Sequence, residues 1–199
     1  MLTIENLLVT QGELELRYPK IEINAGERVA IQGRSGVGKT TLLHVIAGFT
    51  RCSEGSVHWH SSELTSLEPE QRPVGLLFQD HNLFEHLSVA ENLALGFSGP
   101  APEDQIQIAA AQLGVAELLQ KRPGQCSGGQ RQRIGLIRTL LRPEPLVLLD
   151  EPFAELDPTT REIATQWVRQ TAISTGKTLL LVTHQEEDVE RVAERLITL

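Results

Sequence analysis

Residues 33–40, Gly33-Arg34-Ser35-Gly36-Val37-Gly38-Lys39-Thr40, match the pattern G-x-x-x-x-G-K-[ST] and constrain the fold more than any other stretch. An apolar run (Val29, Ala30, Ile31) precedes them and a helical pattern (Leu42, Leu43, Val45, Ile46) follows, which is the strand–loop–helix setting that the pattern requires. Gly33, Gly36 and Gly38 let the backbone turn tightly, so that successive N–H groups, those of Ser35 and Thr41 among them, can converge on a phosphate chain. The start of the helix adds partial positive charge. In such a site Lys39 meets the β- and γ-phosphates and the Thr40 hydroxyl meets a magnesium ion. The stretch therefore implies a nucleoside triphosphate site.

With 199 residues the chain can bury a full core as one domain. Its formal charge of −8 argues against a nucleic-acid surface. Arg131, Arg133, Arg138 and Arg142 could form a local basic patch, but they lie on one short helix and read as its solvated side. No run of about 18 apolar residues appears and the start lacks a signal-peptide pattern, so a cytoplasmic protein is expected. Cys52 and Cys126 are then expected to be free thiols.

The first 30 residues alternate. Leu2 and Ile4, Leu14 and Leu16, and Ile21 and Ile23 stand at period two between turn signals, as do Val57 and Trp59 later, which predicts short antiparallel strands. Beyond residue 29 the apolar runs are unbroken, at 74–78, 146–149 and 179–182, as in a parallel sheet covered on both faces. The run before residue 33 ends at the glycine-rich loop, and the others end at Gln79, at Asp150-Glu151 and at Thr183-His184. Ligands bind at the carboxyl ends of such strands, so four separated pieces of sequence point to one site.

The expected fold is thus α/β: a phosphate-loop core with a parallel sheet, an N-terminal antiparallel β part and a helical insert. The insert lies between Asp80 and Pro143, with helices over 104–113 and 115–121 carrying Ile108, Ala111, Leu118 and Leu119. A helix over 131–141 turns Ile134, Ile137, Leu140 and Leu141 inward. After the strand at 146–149, Asp157 caps a helix with Pro158 at its first position and a stripe of Ile163, Trp167, Val168 and Thr171. A last helix over 186–194 buries Val189, Val192 and Ala193, a final strand follows at 196–199, and 98–102 is the one loose stretch.

Asp150 follows four apolar residues, where a phosphate-loop protein holds a carboxylate that reaches magnesium directly or through water. Glu151, beside it, is placed to polarise an attacking water. Ser127, Gly128 and Gly129 open a helix and offer a second anion-binding N-terminus, although taken alone they read as a plain cap.

Together these motifs resemble the ATPase subunits of ATP-binding cassette transporters over nearly the whole chain. Cys126-Ser127-Gly128-Gly129-Gln130 resembles the family signature, with cysteine where leucine is usual, and Gln79 resembles the glutamine of the Q-loop. Leu146 to Glu151 resembles Walker B with the catalytic glutamate, Ala154-Glu155-Leu156-Asp157 the D-loop, and His184 the switch histidine at the γ-phosphate. The resemblance implies ATP and Mg²⁺, the ion held by Thr40, Gln79 and Asp150, with Glu151, His184 and Gln79 at the chemistry. It also implies a single domain over 1–199, with a core of 1–79 and 144–199 and a helical part of 80–143. A second copy of the chain would close ATP between the phosphate loop of one and the residues Ser127, Gly128, Gly129 and Gln130 of the other. The family's usual aromatic for adenine falls here on Gly12 and its neighbours, and Tyr18 is the only aromatic ahead of the loop.

Residues 72–80 and 82–92 resemble the importers. That implies an integral membrane permease as partner, a periplasmic binding protein indirectly, and a place on the inner face of the membrane. Leu83, Phe84, Leu87 and Val89 are too apolar for an exposed loop, so about half are expected to pack inward and the rest to meet the permease. The alternatives are an export or lipid-translocating cassette, or a soluble ATPase without a transport role.

Overall fold

The computed structural model describes residues 1–12, 14–80, 82–97 and 99–199. The chain opens with strands β1 (Leu2–Gln11), β2 (Leu14–Arg17) and β3 (Ile21–Ile23), then passes through β4 (Arg28–Gln32) into helix α1 (Lys39–Ala47). It returns through β5 (Glu54–Trp59) and β6 (Ser62–Glu63) to β7 (Val74–Leu77). Helices α2 (Val89–Ala94), α3 (Glu103–Gln112) and α4 (Gly128–Leu141) come next. The remainder is β8 (Leu146–Asp150), α5 (Pro158–Thr175), β9 (Thr178–Val182), α6 (Glu186–Val192) and β10 (Arg195–Thr198).

Two sheets result, as the alternation and the unbroken runs predict. In the antiparallel one β1 pairs with β2, β3 and β5, and β6 extends it from β5. The other is parallel, in the order β10-β4-β9-β8-β7. Its apolar runs are buried on both sides because alternate residues serve different cores. Leu146, Leu148 and Leu180 pack with α1 and the antiparallel sheet, while Val147, Leu149, Leu179 and Leu181 pack with α4 and α5. Leu14 departs from its expected half-burial and is 51% exposed at the start of β2. In β1 the pairing shifts between Glu5 and Leu8, which brings Leu7, Leu8 and Val9 inward together.

Arg72 is buried behind α1 and binds backbone only. Its Nη1 donates to the carbonyls of Val45 and Ile46 at 2.8 and 3.0 Å, its Nε to Leu67 at 2.9 Å and its Nη2 to Thr65 at 3.1 Å. Cys52 and Cys126 are both free thiols, and Cys126 is buried in the core beside α4.

The helical insert differs in detail from its sequence pattern. α3 buries Ile106, Ala109 and Ala110, and leaves Ile108 58% exposed. The helix expected over 115–121 is only a 3-10 turn at Ala116–Leu118. Its continuation fails for a tertiary reason: the carbonyls of Leu119 and Lys121 accept from Ala90 and Val89 at 2.8 Å each, and Pro123 has no N–H to offer Leu119. Leu118 and Leu119 are buried all the same.

On α4, Ile134, Ile137 and Leu140 are buried as expected and Leu141 is half-buried. Its arginines bind neighbouring groups, Arg131 from an exposed position and Arg133, Arg138 and Arg142 from half-buried ones. Arg131 donates to the carbonyl of Cys126 at 2.7 Å, and Arg133 to those of Gly129 and Leu113 at 3.1 and 2.6 Å. Arg142 pairs with Glu144, and Arg138 stands 5.7 Å over the ring of Phe84.

Asp157 caps α5 as expected, accepting from Thr159 and Thr160 at 3.1 Å each. The helix's buried stripe runs through Ala164, Thr165, Trp167, Val168 and Ala172, so Ile163 falls on its margin and is 47% exposed. In α6 it is Asp188 and Val192 that are buried, with Val189 and Ala193 half-buried. Between β7 and α2, Val89 joins the core, Leu83 packs partly against it, Leu87 is half-buried, and Phe84 is 52% exposed. His81 in that segment and Ser98 at the head of the loose stretch lie outside the described residues. Among the described residues, no helix is long and apolar enough to cross a membrane.

Candidate active site

The carboxyl ends of β4, β7, β8 and β9 open on one cleft of about 530 Å³. Its walls include Ser35, Gly36, Gly38, Lys39 and Thr40 from the loop, Gln79 after β7, Asp150 and Glu151 at the end of β8, and His184 after β9. The four pieces of sequence that pointed to one place do meet there. Gly33 enters through its carbonyl, which accepts from Lys39, and Thr41 follows Thr40 in the first turn of α1.

The loop turns at Gly36 and Gly38, whose φ angles of 80° and 99° favour glycine. At Gly38 a Cβ would run into the Tyr18 hydroxyl. α1 then starts with no side-chain cap and no acid in its first turn, so its leading N–H groups and its dipole are left to an anion. Lys39 Nζ lies across the loop, donating to the carbonyls of Gly33 and Arg34 at 2.9 and 3.1 Å.

Asp150 is 1% exposed, and among the described residues neither carboxylate oxygen has a hydrogen-bond partner. Burial holds its pKa above the ordinary value, an effect that the nearby Thr40 hydroxyl and the charges of His44 and Lys39 offset only in part. A buried, unsatisfied carboxylate beside a hydroxyl at a phosphate loop is the donor set expected of a divalent-cation site. Among the described residues no group of three or more His, Cys, Asp or Glu could hold a metal by itself, so an ion here would depend on phosphate oxygens as well.

Glu151 has a φ of +46°, rare for a residue with a side chain. Its N–H donates to the Val182 carbonyl at 2.9 Å, and its own carbonyl accepts from Gln132 Nε2 at 3.1 Å. These two bonds hold the strained turn, which brings Oε1 to 3.1 Å from His184 Nε2. The contact is off the hydrogen-bond direction, so that oxygen stays buried without a donor and burial raises the Glu151 pKa.

Ser127, Gly128, Gly129 and Gln130 are not in this cleft. They begin α4 as a capping box, in which the Ser127 hydroxyl accepts from Gln130 N at 3.3 Å and the Gln130 side chain accepts from Ser127 N at 2.8 Å. Gly128 instead borders a second cleft of about 360 Å³ shared with Gln79, Asp80, Glu85 and Glu155. Gln79 alone of the expected site residues lines both. The sequence reading missed Arg161, which lines the first cleft from α5. It stands four residues after a helix cap, where a charge ordinarily reads as surface.

The family described as ABC transporter matches residues 16–154. The chain is similar to the thiamine import ATP-binding protein ThiQ of Cereibacter sphaeroides, 46% identical over 202 residues that cover 99% of this chain and 87% of that protein. The protein of the same name from Escherichia coli K12 is 40% identical with the same coverage. Among solved structures, a dimeric ATP-binding cassette in a post-hydrolysis state with ADP and Pi is 30% identical with a TM-score of 0.86, covering 100% of this chain and 94% of that one. A dimeric structure of a bacterial ABC transporter cassette gives a TM-score of 0.89 at 28% identity, with the same coverage.

Proposed function

The chain belongs to the ABC transporter family, and from that premise we propose that it powers thiamine import through a partner membrane permease by closing as an ATP-sandwiched pair. The observation that carries the reading is the division of the site: the phosphate loop, Asp150, Glu151 and His184 share one cleft, while the Ser127 to Gln130 segment lies outside it, exposed at Ser127 and half-buried from Gly128 to Gln130. One chain then supplies half of each ATP site and a second copy the other half.

In this reading the N–H groups around Gly36, Gly38, Thr40 and Thr41 receive the phosphates, and Lys39 exchanges two backbone carbonyls for phosphate oxygens. Thr40, Asp150 and Gln79 would hold Mg²⁺, which would offset phosphate charge. Glu151, short of donors, takes the proton of an attacking water. His184 stands beside it for the γ-phosphate. Gln79, bordering both clefts, links ATP occupancy to the insert of 80–143 against the core of 1–79 and 144–199.

In this reading the permease would meet the surface around Phe84. Asn92, fully buried, holds that loop in shape: its Oδ1 accepts from Phe84 N at 2.8 Å and its Nδ2 donates to the carbonyls of Phe84 and Ser88 at 3.0 Å each. Phe49, 55% exposed, and Phe78 add an edge-to-face pair near Gln79, with centroids 5.2 Å apart. The subunit would lie on the cytoplasmic face of the membrane, with a periplasmic binding protein acting through the permease. The reading is tested by reconstituting the chain with its permease and binding protein in vesicles and following labelled thiamine. Uptake driven by Mg·ATP is expected, and ATP hydrolysis without thiamine uptake would overturn the import assignment.

A further inference from the structure

Asp188, in the first turn of α6, is fully buried and takes Arg161 in a fork: Nε donates to Oδ1 at 2.8 Å and Nη2 to Oδ2 at 3.0 Å. Oδ2 accepts a second donor, the Thr183 hydroxyl, at 2.6 Å. Thr183 Oγ1 in turn accepts from Gln185 N at 3.2 Å. The residue between Thr183 and Gln185 is His184, so both of its chain neighbours are tied to one hydroxyl, and that hydroxyl to one carboxylate.

The other end of the chain of bonds reaches Glu151. Arg161 sits in the first turn of α5, its N–H donating to the Asp157 carbonyl at 2.8 Å, at the end of the loop that begins with Glu151. Asp150 pairs in register with Val182, and Glu151 N–H donates to the Val182 carbonyl. Glu151 and His184 thus leave the same rung of the sheet on adjacent strands. The Arg161–Asp188 fork joins the loops that carry them a second time.

Asp188 is fully buried and Arg161 only partly so, and an ion pair of this kind seldom adds stability over apolar residues of similar volume. A planar guanidinium with both carboxylate oxygens fixed does set an orientation. Pairing also matters for charge. Arg161 lines the nucleotide cleft, and without Asp188 its guanidinium would be free to turn to the phosphates.

We propose that Arg161, Asp188 and Thr183 are positioning residues that hold His184 in register with Glu151, so that their loss slows turnover through His184 while nucleotide binding is kept. The inference rests on the role given to His184 above.

The test is steady-state ATP hydrolysis by the purified full chain with Mg·ATP, for Thr183→Val, Thr183→Ser, Asp188→Asn and His184→Ala, alone and combined. Thr183→Val removes one hydroxyl at nearly constant shape and stands in should Asp188→Asn fail to fold. Thr183→Val is expected to lower kcat by about ten- to a hundredfold, the scale of a misplaced reacting group, with KM changed by less than about twofold. Thr183→Ser restores kcat. In the His184→Ala background, Thr183→Val costs less than about twofold further, because the residue it positions is already gone. Wild-type kcat in a folded Thr183→Val protein, or a loss that multiplies in full with that of His184→Ala, overturns the inference while leaving the role of His184 standing. Wild-type kcat in His184→Ala itself overturns both.

Discussion

Tyr18 donates its hydroxyl to the carbonyl of Gly38 at 2.8 Å, bracing the phosphate loop from beneath. The side chain is 4% exposed, and burial pushes its pKa up to about 12. A ring committed to this contact is not presented to a base. With no other aromatic ahead of the loop, phosphate and metal contacts should dominate affinity, so GTP and ATP are expected to compete within a few-fold of each other. Competition binding measures this, and a preference of about a hundredfold for ATP would reveal a base reader. Tyr18→Phe should cost about 1 kcal/mol of stability without altering that ratio.

Lys39 and Glu151 should fail differently. Lys39→Ala removes a charge from the phosphates and is expected to weaken ATP binding and turnover together. Glu151→Gln keeps the side-chain shape and should preserve binding while hydrolysis slows by about two to four powers of ten, the usual worth of a general base. Wild-type hydrolysis by purified Glu151→Gln protein would remove the assignment.

For the signature segment the sharper probe is Ser127→Arg. A Cβ on Gly129 would already stand 3.0 Å from the Glu155 carbonyl and 3.4 Å from Leu156 Cδ2, so Gly129→Asp disturbs its own chain as well as any partner's phosphate. Ser127 is exposed, and replacing it should cost only a helix cap, about 1 kcal/mol. ATP binding by the monomer is expected to survive and the ATP-bound dimer to be lost. Analytical ultracentrifugation in the Glu151→Gln background reads both, and a stable dimer of Ser127→Arg protein would contradict the sandwich.

Asp150→Asn should stabilise the nucleotide-free, metal-free protein at neutral pH, by roughly 1–3 kcal/mol or a few degrees in Tm, because it removes an unpaired buried charge. The sign with pH follows from the raised pKa. The folded state holds the Asp150 proton more tightly than the unfolded chain, whose ordinary value is 3.8, so the penalty is full above the raised pKa, shrinks as pH falls through it and is gone below 3.8. Melting curves in EDTA should therefore show the advantage of the variant fading in acid. An advantage independent of pH would refute this origin.

Phe84 and Val89 separate docking from packing. Phe84→Ser is expected to lower thiamine uptake more than basal ATP hydrolysis, with Tm nearly unchanged. Val89→Ser, in the core, should lose stability and both activities. Uptake that tracks hydrolysis one for one in Phe84→Ser would sink the docking assignment.

The sheet and the cleft were legible because each follows from local pattern. Unbroken runs at 146–149 and 179–182 specify strands buried on both faces, and the polar residues that end them fall at the strand tips by topology alone. What escaped was decided by partners distant in sequence. Nothing near Leu119 announces that Ala90 will take its carbonyl, and nothing in the spacing of Arg131 and Arg133 separates a solvated charge from one that binds backbone. Arg161 was overlooked for the same reason: its partner is 27 residues away.

Arg72 gives α1 an asymmetry that bears on its hold on phosphate. The helix has nine residues, and the guanidinium gathers carbonyls at its far end, where the peptide dipoles leave negative charge. An anion at the near end and a cation at the far end, roughly 13 Å apart at 1.5 Å per residue, load the same column of dipoles from opposite poles. The same cation moors that column to Thr65 and Leu67, beyond the edge of the antiparallel sheet. Grip on ATP is thus seated partly in a residue that never meets it, and neutralising Arg72 would slacken the loop from behind while every phosphate contact kept its donor.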